Sequence, residues 1–276
     1  LINFAHGDVF MLGTFGALTL VLSLGLTRET PLPVLAALLL LALLGTMIFG
    51  ALVNVLIERL AYRPLRSAPR LAPLISAIGV SFILMNIGLW WFGPRQVRFP
   101  DLLPQIDLLR DVVGIQSAVT FTLKDLFVIG VTVPLLLGLR LFVLHTRLGR
   151  AMRATAQDPT AAALMGINVN ATIALAFLLG GSLAGAAGFI YGLYNNSAWF
   201  LQGFRSGLMA FTAAVFGGIG NLTGAALGGF TIGIISAFSD YLLDPRWTQV
   251  VVFGLLIVLL VFRQRGLLGE ELPERA

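Results

Sequence analysis

The chain of 276 residues is 58% apolar and 11% charged, against the roughly 25% charged residues of a soluble domain. These numbers predict an all-α polytopic membrane protein, with about seven to eight apolar segments near the roughly 20-residue length that crosses a bilayer. A net charge of +5 could suggest a nucleic-acid partner, but the basic residues sit in short loops between apolar segments and so report orientation in the membrane. With no Cys in the chain, disulfides, thiolate chemistry and Cys-ligated metals are excluded.

The opening, 1–10, has no basic region ahead of an apolar run and does not read as a cleavable signal. Asn3, His6 and Asp8 stand just before a first apolar segment at 9–26. A polar turn at 27–31 leads to a second segment at 32–57. A basic stretch with Arg59, Arg63, Arg66 and Arg70 follows, with two prolines that stop helices. The third segment is 71–92. In the loop at 93–124, Arg95, Arg98, Arg110 and Lys124 nearly balance Asp101, Asp107 and Asp111. Asp125 is expected to cap a fourth segment that ends near Leu144. A fifth lies at 172–194, two arms at 204–219 and 223–243 meet at Gly220, and a last segment covers 247–262. The three arginine clusters, 59–70, 147–153 and 263–265, can all face the cytoplasm if the first segment runs outward. That parity puts Arg63, Arg150 and Arg265 inside, and Pro104 and Asn196 outside. It holds whether the two arms after Phe204 cross fully or form a re-entrant hairpin.

The whole chain, 1–276, reads as one transmembrane domain organised around a polar stretch at 145–170. Arg147, Arg150 and Arg153 recur every three residues and so share one side of a helix. Asp158 offers an N-cap oxygen and Pro159 suits the first helical position. Thr160, Ala161, Ala162 and the residues to Met165 favour helix, and Gly166 can end it. Two short helices broken at Asp158-Pro159 are therefore predicted, shaped to be gripped by another protein. Small residues at 181, 184, 185, 188 and 192, and again at 220, 224 and 228, form rows that allow helices to touch closely.

No nucleophile lies beside a base. Ser182 has no His near it in an apolar segment, and His6 and His145 are too far apart in sequence to suggest a metal site. The glycine-rich run 214–220 lacks the Lys-Ser or Lys-Thr of a phosphate loop. Neither a catalytic residue, nor a metal, nor a cofactor is expected, which favours a transporter subunit over a membrane enzyme. Asn3, His6 and Asp8 are candidates for the inner end of a translocation path, because ionisable groups at membrane depth must avoid lipid. A secondary transporter would need intramembrane carboxylates for ion coupling, and Asp8 alone supports that poorly.

The stretches 2–8 (Ile-Asn-Phe-Ala-His-Gly-Asp), 58–66 and 74–81, the segment 148–169, Ala210-Phe211 with 217–220, and 262–269 resemble, in order, the blocks of the H-type permease of high-affinity branched-chain amino-acid importers, the Liv type of ABC importer. The resemblance implies a non-catalytic subunit of the bacterial or archaeal cytoplasmic (inner) membrane. Its implied partners are an M-type permease, two cytoplasmic ATP-binding subunits and an external solute-binding protein, within the lipid bilayer and with no nucleic acid. It also implies that 145–170 is the segment that docks on an ATPase, with Arg150, Arg153, Asp158, Pro159, Thr160, Ala161, Ala162 and Gly166 as coupling residues. Thr160 stands where the family pattern has Glu. Members of the family carry a further apolar helix ahead of Asn3, so a trimmed start is expected. Related permeases serve urea, amides and other small solutes, which is the alternative for substrate.

Overall fold

A computed structural model describes residues 3–66, 68–69, 71–112, 114, 120–263 and 266–269. Its helices are α1 (His6–Ser23), α2 (Leu32–Ile57), α3 (Leu71–Phe92), α4 (Leu123–His145), α5 (Arg147–Gln157), α6 (Pro159–Leu164), α7 (Val169–Asn195), α8 (Gln202–Gly217), α9 (Leu222–Leu242) and α10 (Thr248–Phe262). Six of them, α1, α2, α3, α4, α7 and α9, are long and apolar enough to cross a membrane. At 16 and 15 residues, α8 and α10 reach only about 24 Å, short of a hydrocarbon core of about 30 Å. The all-α polytopic expectation holds. Two residues at Val97–Arg98 (β1) pair antiparallel with two at Ser197–Ala198 (β2).

The span boundaries follow the hydropathy closely, with two corrections. His6 and Asp8 do not precede the first span but occupy the first turn of α1. An acidic side chain is favoured there because the first-turn N–H groups carry partial positive charge. Asp125 is not the N-cap of α4. Thr122 is, and its N–H and Oγ1 donate to Asp125 Oδ2 at 2.8 and 2.7 Å in a capping box.

The chain packs as two compact units that divide at Phe204/Arg205. In the first, α7 packs against α2 and α1, and glycines set how closely. A Cβ on Gly13 would lie 2.9 Å from Gly185 Cα, one on Gly50 would strike the Gly181 carbonyl, and one on Gly188 would strike the α1 backbone. In lipid this close approach carries much of the association, because apolar burial gives little. Met11, Phe15, Leu18, Tyr62, Phe99 and Phe189 fill the core around it.

The loops of this unit sort into two ends. At one, Asp101 pairs with Lys124 (2.7 Å) and Arg28 (3.6 Å), and Lys124 donates to Asn196 (3.2 Å). The β1–β2 pairing joins the same loops. Burial alone would raise the Asp101 carboxyl. Hydrogen bonding and charge from Lys124, with help from Gln105 and Arg28, outweigh it and hold the group below its ordinary value. At the other end, Arg66 meets Asn170. Pro104 and Asn196 thus lie at one end and Arg63 and Arg150 at the other. Arg70 and Arg265 lie outside the described residues.

In the second unit, Gly217 and Gly224 meet backbone to backbone and Gly228 lies against Ala213. Gly220 does not belong to that row. It has φ +96°, and a Cβ added there would meet nothing within 4 Å, so it serves the turn before α9. Asn221 caps α9 by accepting from Gly224 N at 2.9 Å. Leu267 and Leu268 N–H donate to the carbonyls of Phe216 and Gly217 at 2.9 and 3.0 Å.

Candidate functional site

The polar stretch at 145–170 folds as two short helices broken at Asp158-Pro159. Thr146 caps α5, its Oγ1 accepting from Gly149 N at 3.0 Å. Gly149 lies so close to the carbonyls of Phe142 and Val143 that a side chain there would collide with them. Arg153, predicted to line a basic edge with Arg147 and Arg150, also donates to the Val143 carbonyl. It thereby satisfies an end group of α4, where a cation is favoured.

Asp158 caps α6, its Oδ1 accepting from Thr160 N at 2.8 Å and Ala161 N at 3.0 Å, and Pro159 takes the first position. At the other end, Gly166 adopts φ +80°. Gly166 N and Ile167 N each donate at 3.0 Å, to the carbonyls of Ala163 and Ala162. This is a Schellman motif, closed by a residue in the left-handed region. Asn168 then caps α7 by accepting from Ala171 N at 3.0 Å. A six-residue helix is too short to persist on propensity alone, and here it is closed at both ends.

Ala162 is 4% exposed and turned into the chain. Thr160, Ala161 and Ala163 face out, and Leu164 and Met165 are 85% and 83% exposed. Two large apolar side chains thus stand on a polar connecting segment between spans.

Beside this segment lies a polar cluster that local sequence signals do not reveal. After α2 the chain makes a π-helical turn, Glu58–Tyr62, and a 3₁₀ turn, Arg63–Leu65. Glu58 is 1% exposed and pairs with Arg66, which also donates to Asn170 in the first turn of α7. Removing either member of a buried ion pair leaves an uncompensated charge, at a cost of about 3–5 kcal/mol. Tyr62 Oη donates to Asn3 Oδ1 (2.9 Å), Asn3 Nδ2 to Asn54 Oδ1 (3.3 Å), and Asn54 Nδ2 to the Phe177 carbonyl (2.6 Å).

Of the three path candidates, Asn3 and His6 are partly exposed, whereas Asp8 is fully buried. Ser81 Oγ donates to Asp8 Oδ2, and Gly203 packs against Oδ1. Asp8 therefore sits inside the helix packing. Two apolar crevices lie elsewhere in the first unit. One of about 450 Å³ is bordered by Phe10, Leu135, Leu183 and Tyr191, and one of about 780 Å³ by Leu12, Phe49, Val80 and Trp91. None of Asn3, His6 and Asp8 borders either. Among the described residues, no three His, Asp or Glu side chains cluster to hold a metal.

The family model for the branched-chain amino acid transport system permease component matches residues 1–261. The chain belongs to this permease family. The high-affinity branched-chain amino acid transport system permease protein BraD of Pseudomonas aeruginosa is 41% identical over all of this chain and 88% of its own length. The corresponding LivH of Escherichia coli K12 is 36% identical, also over all of this chain and 88% of its own length. A probable LivH of the archaeon Methanocaldococcus jannaschii is 30% identical over 94% of this chain and 78% of its own length. No solved structure matches. The protein is thus a multi-pass membrane protein of that permease family. The residues that sequence reasoning misses, Glu58, Arg66, Asn54 and Tyr62, mostly fall in the conspicuous run 58–66, but nothing local signals that Arg66 reaches Asn170.

Proposed function

We propose that this permease supplies the membrane path for branched-chain amino acids in an ABC importer of the cytoplasmic membrane, and that α6 is the surface through which an ATPase drives it. A second permease of the M type, two ATP-binding subunits and an external binding protein complete the importer. The relatives' names support the substrate class. The observation that carries the coupling reading is the exposure of Leu164 and Met165 on a helix closed at both ends. Large apolar side chains outside the bilayer are suited to a partner's pocket, and the caps hold them in one arrangement before the partner arrives, which reduces the ordering cost of binding. Thr160 and Ala161 are exposed on the same helix, which starts at Asp158-Pro159, and Arg150 is exposed on α5. Ala162 supports α6 from beneath, and Gly166 fixes its end.

Asn3 and His6 lie at the same end of α1 as the polar cluster, and we assign them to the inner end of the path. The test is leucine uptake into vesicles carrying the assembled importer. Uptake is expected to require ATP and the ATPase subunits. Uptake driven by an ion gradient with no ATPase present would instead establish a secondary transporter.

A further inference from the structure

The coupling segment and the N-terminal end of α1 are joined by two sets of side-chain contacts, Asn170–Arg66–Glu58 and Tyr62–Asn3, linked through the backbone of the π-helical turn Glu58–Tyr62. Arg66 donates to Asn170, four residues past the glycine that closes α6, and to the buried Glu58 at the head of the π-helical turn. The turn ends at Tyr62, which is 1% exposed, lies tilted against Phe177 with ring centroids 5.4 Å apart, and donates to Asn3. Asn3 Oδ1 also accepts from Ala5 N at 3.1 Å, one residue before α1 begins. A π-helical turn widens the helix by one residue and is a frequent site of functional bending.

The ion pair is only half made. Glu58 Oε2 and Arg66 Nε are both buried with no hydrogen-bond partner, whereas a guanidinium and a carboxylate can form two parallel bonds. The second bond that such a pair can form is not made here. A polar network that is partly satisfied in one arrangement and better satisfied in another is the kind of element that has two states.

We propose that Arg66 is a positioning residue of the transport cycle: through Asn170 on one side and the Glu58–Tyr62 turn on the other, it carries displacement of the coupling segment to Asn3 and the start of α1. The proposal rests on the reading of α6 as the ATPase contact. Any motion of the α6–α7 junction pulls on Arg66. Because Glu58 opens the π-helical turn and Tyr62 ends it, the pull reaches the Tyr62–Asn3 bond through the backbone of that turn.

The experiment uses the complete importer in vesicles, with leucine as the transported probe. Arg66→Gln breaks the bridge directly. Asn170→Ala and Tyr62→Phe break it at either end while leaving the Glu58–Arg66 pair intact, so they remain informative if Arg66→Gln does not fold. The expected result is normal retention of the ATPases with leucine uptake per ATP hydrolysed falling at least about 5-fold, the lower bound of typical coupling between sites. In the double variant Asn170→Ala/Tyr62→Phe the loss is no greater than in the worse single variant, because one connection is cut twice. Normal uptake per ATP in both single variants, or losses that multiply in the double, would overturn the linkage. A wild-type importer that retains its ATPases and couples normally while the variants also couple discards the linkage alone. A wild-type permease that takes up leucine without ATPases discards the importer reading and the linkage with it.

Discussion

Asp158→Ala tests the coupling helix at its weakest point. Asp158 Oδ1 accepts two backbone N–H groups, at 2.8 and 3.0 Å, at the start of a helix only six residues long. Loss of an N-cap costs about 1 kcal/mol, within a range of roughly 0.5–2. Loss of a negative charge beside the first turn adds about 0.3–1 kcal/mol. The two together come to roughly 1–2 kcal/mol, a factor of about 5–30 in the ratio of folded to unfolded α6. The apparent affinity for the ATPases scales with the folded fraction of α6, so it should fall by up to the same factor. Asp158→Asn keeps the acceptor and loses only the charge, so its affinity should fall less than about 5-fold. The assay is titration of purified ATPase onto permease in lipid discs, followed by leucine-stimulated ATP hydrolysis. Equal affinity in wild type, Asp158→Ala and Asp158→Asn would refute the reasoning.

Further outcomes follow from the packing and the loops. With no native Cys, Gln105→Cys should react with an impermeant thiol reagent on intact cells and Arg150→Cys should not; the reverse pattern would invert the topology. Gly185→Val should prevent folding, because a Cβ there meets the α2 backbone at Thr46 and over-packing costs about 1–3 kcal/mol even in a core that can adjust. Monodisperse Gly185→Val protein in detergent would contradict the proposed helix contact. The Asp101 carboxyl is held below its ordinary value of 3.8, so its stabilising effect is complete above that value and is lost as pH falls through the lower folded value. Proteolytic resistance of the loop at 93–124 should therefore drop on acidification below 3.8 in wild type, and Lys124→Ala should flatten that dependence.

The spans are legible in the sequence because apolar length is enough to mark a membrane helix, and α2 and α3 match the predicted ranges residue for residue. The coupling helix is legible for a different reason. Asp158-Pro159 and Gly166 are local signals, each with its own backbone consequence, and they act within one turn. What lies beyond local reading depends on the fold. Six residues are too few for periodicity to tell which face of α6 turns inward, so Ala162 cannot be separated from Ala161. Gly220 fits a spacing of four with Gly224, yet its positive φ breaks the helix between them. Glu58 and Arg66 share a conspicuous basic stretch, but the contact to Asn170 spans 104 positions and has no sequence signature. Hydropathy leaves His6 and Asp8 outside the first span because it cannot see a helix that starts among polar residues.

The most direct test of the central claim is cross-linking from single cysteines on α6 to the ATPase in the assembled importer. Leu164→Cys and Met165→Cys should form a permease–ATPase adduct, whereas Ala162→Cys, turned inward, and Gln105→Cys, at the opposite end, should not. Adducts from Gln105→Cys, or none from either Leu164→Cys or Met165→Cys while the ATPase remains bound, would contradict the account.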